Sequence, residues 1–187
     1  MTRLYLASTS PRRKRILREA GVSFKAIAPD YEENGPLHFS PSRTVKEHAL
    51  GKARSAAKKI SKGIVVGCDT IVYFRKKIIG KPRSLKDAFR ILGALQGRRH
   101  SVYTGIAVLR VAASRIVREA VFYEKTAVTL KKMSRGDIAG YFRKVHPLDK
   151  AGAYAIQSRR CPIVEKVQGS LFNAAGLPIE RLKSFLK

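Results

Sequence analysis

Acid is what this chain has least of. Thirteen Asp and Glu stand against 39 Lys and Arg in 187 residues, a formal net charge of +26. Tryptophan is absent, and cysteine occurs only at Cys68 and Cys161. Both cysteines sit in apolar contexts (VVGCDT and RRCPIV), with neither a zinc spacing nor a disulfide framework, and read as small buried hydrophobes in a reducing cytoplasm. No apolar run approaches the roughly 18 residues that span a bilayer. The N-terminal apolar stretch is also too short for a secretory signal. A cytoplasmic protein with no membrane partner is the expectation. The compact phosphate and catalytic motifs are missing as well: no GxxxxGKS/T loop, no GxGxxG, no HExxH, no GxSxG and no Glu-rich Nudix signature. Any chemistry on phosphates must come from charged residues scattered along the chain.

The positive residues are spread through every segment. Their field concentrates anions near the surface and favours nonspecific nucleic-acid binding at low salt. No aromatic-basic interleaving of the RNA-binding type accompanies them. Hydrophobic content of 44% and charged content of 28% are ordinary for a globular protein, and the length suits a single domain, with two lobes, over residues 1–187.

The segment LASTSPRRKRIL carries the strongest local signal. A short apolar strand, Leu4 to Ala7, runs into Ser8, Thr9 and Ser10, then Pro11, Arg12 and Arg13. Ser10 suits an N-cap, Pro11 the first helical position, and Gly21 the helix stop. The strand therefore delivers a helix N-terminus, whose free N–H groups form an anion site. Arginines in a first turn oppose the helix dipole, so their placement asks for an anion that offsets them; a solvated basic helix start is the alternative.

Strands and helices alternate along the rest of the chain. Strand 3–7, helix 11–20 and a strand near 24–28 precede a loop from Asn34 to Ser42. Ser40 or Ser42 caps a helix to about Ile60, with Val45, Ala49, Ala53, Ala56, Ala57 and Ile60 as its apolar stripe. The run IVVGCDTIVYF and the returning IIG read as paired strands. Helix 84–95, two long antiparallel strands at about 100–111 and 115–130, helix 134–144, a strand near 162–168 and a helix at 178–186 complete the pattern. This order predicts an α/β fold with a curved mixed β-sheet flanked by helices.

Asp69 interrupts an otherwise apolar strand, where an unpaired carboxylate is costly. It needs a cation, a metal or a strand end opening into a cleft; a turn aspartate or a salt-bridged strand residue are the plain alternatives. Three of the scarce acids, Asp30, Glu32 and Glu33, fall within four positions after a predicted strand. Lys81 precedes Pro82, which biases it towards extended backbone, and an ammonium suits phosphate oxygens. In LDKAGAYAIQ, Gly152 allows close backbone approach, and the amide of Gln157 offers both a donor and an acceptor to a base edge.

Five blocks, LASTSPRR, VVGCDTIV, IIGKP, LDKAGAYAIQ and NAAGLP, occur in this order from residue 6 to residue 178. Together they resemble the Maf family of nucleoside triphosphate pyrophosphatases over essentially the whole chain. The resemblance implies an inosine-triphosphatase-like fold, an elongated sheet with two lobes around a groove. It also implies hydrolysis of a nucleoside triphosphate to monophosphate and pyrophosphate, in clearing the nucleotide pool. Asp69 would be the base that activates water. Ser8, Arg12, Arg13, Lys52 and Lys81 would bind the triphosphate, and Glu33 with Asp69 would hold Mg²⁺ or Mn²⁺, Glu32 replacing Glu33 if the register is off by one. Asn173 would help build the groove. Arg12, Thr70 and Gln157 resemble the branch that acts on dTTP and UTP. The alternatives are the branch acting on 7-methyl-GTP, or a non-catalytic nucleotide- or nucleic-acid-binding regulator of cell division, which the charge favours. A homodimer is left open.

Overall fold

The computed structural model describes residues 2–33, 40–156 and 161–186. In chain order they form strand β1 (Leu4–Ala7), helix α1 (Pro11–Glu19), β2 (Lys25–Ala26), α2 (Pro41–Ala57), β3 (Gly63–Phe74), β4 (Lys77–Ile79), α3 (Leu85–Leu95), β5 (Arg99–Ala112), β6 (Arg115–Leu130), α4 (Arg135–Lys144), β7 (Val164–Gln168), α5 (Leu171–Ala174) and α6 (Ile179–Lys183). The expected α/β architecture is present. The strand order is β2-β1-β3-β5-β6-β7, with β4 pairing β3 off that path. β1 runs parallel to β2 and β3, and every other pair is antiparallel. The last helix is shorter than the span 178–186 expected for it, and α5 was not anticipated, a four-residue helix being too short to show a period. No helix among the described residues is long and apolar enough to cross a membrane.

The sheet is split, and the split positions the site. On one edge of β3, β1 pairs only as far as Ala7↔Gly67, and β4 begins at Val72↔Ile79. Residues 68–71 lie between these two pairings and keep β5 on their other edge, where Asp69 faces Gly105 and Thr70 faces Thr104. The chain leaving β1 enters α1 beside this gap, and the chain leaving β4 passes through Gly80 and Lys81.

Side chains alternate across a strand, so the two faces of β3 meet different partners. Val65 packs with Ala49, Ala53, Ala56 and Ala57 of α2, beside Ala107 and Leu109 of β5. Ile64, Val66 and Cys68 pack on the opposite face with Ile16 and Leu17 of α1 and Leu182 of α6. Beyond the gap, Val72 joins the core formed by α3, α4 and the loop before β7. Helix α2 lies unusually close to the sheet. A Cβ built on Gly67 would fall 2.2 Å from the Ala49 carbonyl oxygen, and one on Gly105 would fall 2.1 Å from that of Val45. Both contacts are with helix backbone, which cannot rotate away.

That closeness yields a prediction. Gly105→Ala must lift α2 or bend β5, and overpacking of this kind costs about 1–3 kcal/mol. Urea unfolding should show a lower midpoint with an unchanged slope. An unaltered midpoint would mean that α2 does not depend on this approach.

Candidate active site

A groove of about 390 Å³ opens at the split in the sheet. Its lining includes Ser8, Arg12, Arg13, Glu33, Lys52, Asp69, Thr70 and Lys81. Every first-choice binding, catalytic and metal-site candidate of the sequence analysis that falls within the described residues is therefore brought to one place. Gln157 lies outside the described residues.

Asp69 is 5% exposed, and it is not alone. The Lys52 ammonium donates to its Oδ1 at 2.6 Å and lies 2.7 Å from Oε1 of Glu33. Helix α2 places Lys52 there because Thr44, His48 and Lys52 recur every four residues along one side of an otherwise alanine-rich helix, and all three line the groove. Two carboxylates and one ammonium leave the cluster one negative charge in excess. Burial works to raise the Glu33 carboxyl, but the Lys52 ammonium beside it, with Lys81 and His48 adding to it, holds it below its ordinary range. Glu33, the first choice of the sequence analysis, reaches Lys52. Among the described residues there is no group of three or more His, Cys, Asp or Glu able to hold a metal ion. Glu33 and Asp69 nevertheless supply two hard oxygen donors converging on a cation, and magnesium is commonly bound through one or two carboxylates plus the substrate's phosphates.

On the other side of the groove, Arg13 is anchored at three of its nitrogens. Nε donates to the Gly176 carbonyl at 2.9 Å, Nη1 to Ser8 Oγ at 3.2 Å and Nη2 to Thr70 Oγ1 at 3.1 Å. A guanidinium has five N–H donors, so two remain to face an anion. Thr70 Oγ1 is also bonded to Thr104 Oγ1, which in turn donates to the Asn173 carbonyl. The hydroxyl of Thr70 thus fixes Arg13. Buried Asn173 ties α5 to β5 and β6, a structural role in the groove wall.

Ser10 occupies the N-cap position of α1, but its side chain makes no capping bond, contrary to expectation. Ser40 leaves α2 uncapped in the same way, its hydroxyl turned to Ser42. In α3, α4 and α5 the N-cap serines do bond the first turn. With Pro11 lacking an N–H, the amides of Arg12 and Arg13 are the open donors of α1 at the groove. Cys68, beside Asp69, is fully buried, and burial pushes its thiol up to about 11, so it is an inert core residue.

Sequence reasoning missed the pair Tyr31 and His48. Both line the groove, and the Tyr31 hydroxyl lies 3.0 Å from His48 Nδ1. The signal was the four-residue spacing of Thr44, His48 and Lys52, a polar line on a helix whose other buried positions are apolar. Also unforeseen is the tether on Arg12, whose guanidinium donates from Nη1 to Asp149 Oδ2 at 2.9 Å and from Nη2 to the Asp149 carbonyl at 3.1 Å. Burial tends to raise the Asp149 carboxyl, but the bonds from Lys150 and Arg12 outweigh it and bring it down to about 2.

The sequence profile described as Maf-like protein matches residues 3–187. A protein of Clostridium botulinum (strain Okra / Type B1) named dTTP/UTP pyrophosphatase is 40% identical over 190 residues, spanning 100% of this chain and 96% of that protein. One of Bacillus anthracis (strain CDC 684 / NRRL 3495) with the same name is 42% identical over 187 residues, spanning 100% of this chain and 95% of its own length. Among solved structures, a HAM1 protein from Coxiella burnetii aligns with a TM-score of 0.57 at 18% identity, covering 100% of this chain and 98% of that one. The Staphylococcus aureus Ham1 protein aligns at 0.54 and 19%, covering 98% and 97%. These two structures show that the fold is shared.

The Asp149 tether has a pH signature. Its carboxyl is depressed in the folded chain, so the tether adds stability above the ordinary carboxyl value of 3.8 and loses it as pH falls towards about 2. Asp149→Asn should therefore have a lower Tm than the parent at pH 6, with the gap closing as pH drops from about 4 to about 2. A gap that is constant over that range would mean the carboxylate charge contributes nothing.

Proposed function

The chain belongs to the Maf family, and we propose that it is a nucleoside triphosphate pyrophosphatase that hydrolyses UTP and dTTP at the α–β anhydride, giving the monophosphate and pyrophosphate. The observation that carries the reading is the buried Asp69 carboxylate at the split of the sheet, in a groove that Arg12, Arg13, Lys52 and Lys81 also line. The names of the full-length relatives support the same reaction and the same substrates.

Lys52 binds Oδ1 of Asp69, which leaves Oδ2 to take a proton from the attacking water. Arg12, Arg13, Lys81 and the open N-terminus of α1 bind the triphosphate and offset its charge as the leaving pyrophosphate develops. Ser8 accepts bonds from Arg13 and from the Ser10 amide, so its own hydroxyl hydrogen is available to a phosphate oxygen. Glu33 and Asp69 would hold Mg²⁺ or Mn²⁺, which when bound lowers the pKa of a water and screens the phosphates. For the base, Thr70 and Gln157 are the specificity residues of this reading, with Arg12. Uracil and thymine present an N3–H between two carbonyl oxygens, a pattern that a fixed amide matches. Cytosine reverses that pattern and leaves a buried mismatch of about 1–3 kcal/mol. The two free cysteines, both buried, suit a reducing cytoplasm.

Pyrophosphate and orthophosphate should be measured separately for UTP, dTTP, CTP, GTP and 7-methyl-GTP with magnesium, and again in excess chelator. Pyrophosphate should be the product, with kcat/KM highest for UTP and dTTP and turnover abolished by the chelator. Orthophosphate as the product, or no turnover of any nucleotide, would overturn the reaction. A tenfold preference for GTP or 7-methyl-GTP would overturn the substrate, and full activity in chelator would remove the metal.

Asp69→Asn keeps an acceptor for Lys52 but loses the proton acceptor. Its kcat should fall at least about 100-fold, the usual scale for a general base, while nucleotide still binds. Turnover at the parental rate would make Asp69 a structural partner of Lys52 only.

A further inference from the structure

Glu33 stands in a stretch after β2 that has neither helix nor strand, yet its carboxylate is held at one atom of α2. The stretch is tied along its length. Lys59 Nζ donates to the Ala28 carbonyl at 3.2 Å, the Asp30 amide donates to Ser55 Oγ at 2.7 Å, and the Tyr31 hydroxyl meets His48 Nδ1 at 3.0 Å. With Lys52 on Glu33, the partners are residues 48, 52, 55 and 59, spaced as one side of a helix and the turn that ends it.

Of these ties, only the tyrosine brings a large ring, and α2 is shaped to receive it. A Cβ at Gly51 would fall 2.1 Å from Tyr31 Cε2, inside the ring's own space. Glycine within a helix is unfavourable relative to alanine, so α2 carries a weakening residue at the point where the ring crosses it. His48 is 8% exposed and meets the ring edge-on, with centroids 5.9 Å apart. A phenol hydroxyl at this distance can donate to the imidazole nitrogen.

We propose that Tyr31 and His48, with Gly51 as the seat of the ring, are positioning residues that hold Glu33 at Lys52 and Asp69. The proposal rests on the reading that this cluster serves pyrophosphate release. The pair touches no reacting atom; it fixes the one carboxylate of the cluster that no strand or helix carries.

The test uses Tyr31→Phe, Gly51→Ala, Glu33→Gln and the double variant Tyr31→Phe/Glu33→Gln, with UTP as substrate. Removing the hydroxyl should lower kcat roughly 3- to 10-fold, the scale of one lost hydrogen bond, with KM changed by less than about twofold because the cations that hold the triphosphate are untouched. Gly51→Ala should lower kcat at least as far, although the same change in a free helix face stabilises. In the Glu33→Gln background the tyrosine change should cost nothing more, because its effect passes through that carboxylate. Equal losses in both backgrounds, or no loss of kcat in either Tyr31→Phe or Gly51→Ala, would overturn the proposal. Amide hydrogen exchange supplies a readout independent of turnover. Peptides covering residues 28–33 should exchange faster in both variants while those of β3 and β5 stay as in the parent, and unchanged exchange would overturn the latch. If the parent releases no pyrophosphate, the functional reading falls and exchange alone decides the latch.

Discussion

The buried contact between Lys52 and Asp69 is the constraint around which the rest is arranged. Removing an ammonium and a carboxylate from water costs on the order of several kcal/mol per ion, and only close, well-made pairing offsets it. Close pairing in turn requires α2 to lie flush on β3, which glycine at positions 67 and 105 permits, and requires the carboxylate to leave the strand where no neighbouring strand covers it. The end of β1 at Ala7 and the end of β4 at Ile79 bound that opening. A single ion pair therefore accounts for an alanine-lined helix, two glycines and a broken sheet edge.

The high charge of the chain and the charge of the groove are different things. A net +26 spread over every segment creates a field that draws anions in general, and it builds no site. What distinguishes the groove is that its arginines are already held. Arg13 makes three bonds to protein oxygens and Arg12 two, so little side-chain freedom is lost when an anion arrives. Groups held in place before binding are those that stabilise developing charge most effectively. The uncapped start of α1 adds amides with no competing side chain.

Much of the architecture was legible because it is periodic. The alanine stripe of α2, the apolar run of β3 and the long alternating strands β5 and β6 each declared their type and nearly their ends. The groove-lining residues were legible as motifs, and the scarcity of acids made Asp69 and Glu33 conspicuous. Through-space pairings were not legible. Nothing in the sequence says that Lys52 lies between those two acids, that Arg12 leans on Asp149 some 137 positions away, or that Tyr31 sits over Gly51. Capping was misjudged for a physical reason: serine is the preferred residue at an N-cap, but Ser10 keeps its hydroxyl out of the helix turn. The tight turns at Arg75–Lys76 and Ala113–Ser114 also gave no signal, since left-handed backbone there is taken up by residues other than the usual Asn-Gly.

Asp69 and Thr70 show what a strand, and not a loop, gives the proposed chemistry. As neighbours on β3 they point to opposite faces, Asp69 to the ammonium on α2 and Thr70 to the guanidinium on α1. One step along the backbone thus joins the two walls of the groove at a fixed spacing. The arrangement tolerates no slip, because moving β3 by one residue would exchange the faces, turning the carboxylate to Arg13 and the hydroxyl to Lys52. Unbroken pairing with β5 from Gly63↔Val111 to Tyr73↔Ser101 holds the strand against that slip on the edge away from the opening. The open edge can therefore be given to the groove while the closed edge keeps its register, and the long antiparallel partner on the far edge is what sets the groove's geometry.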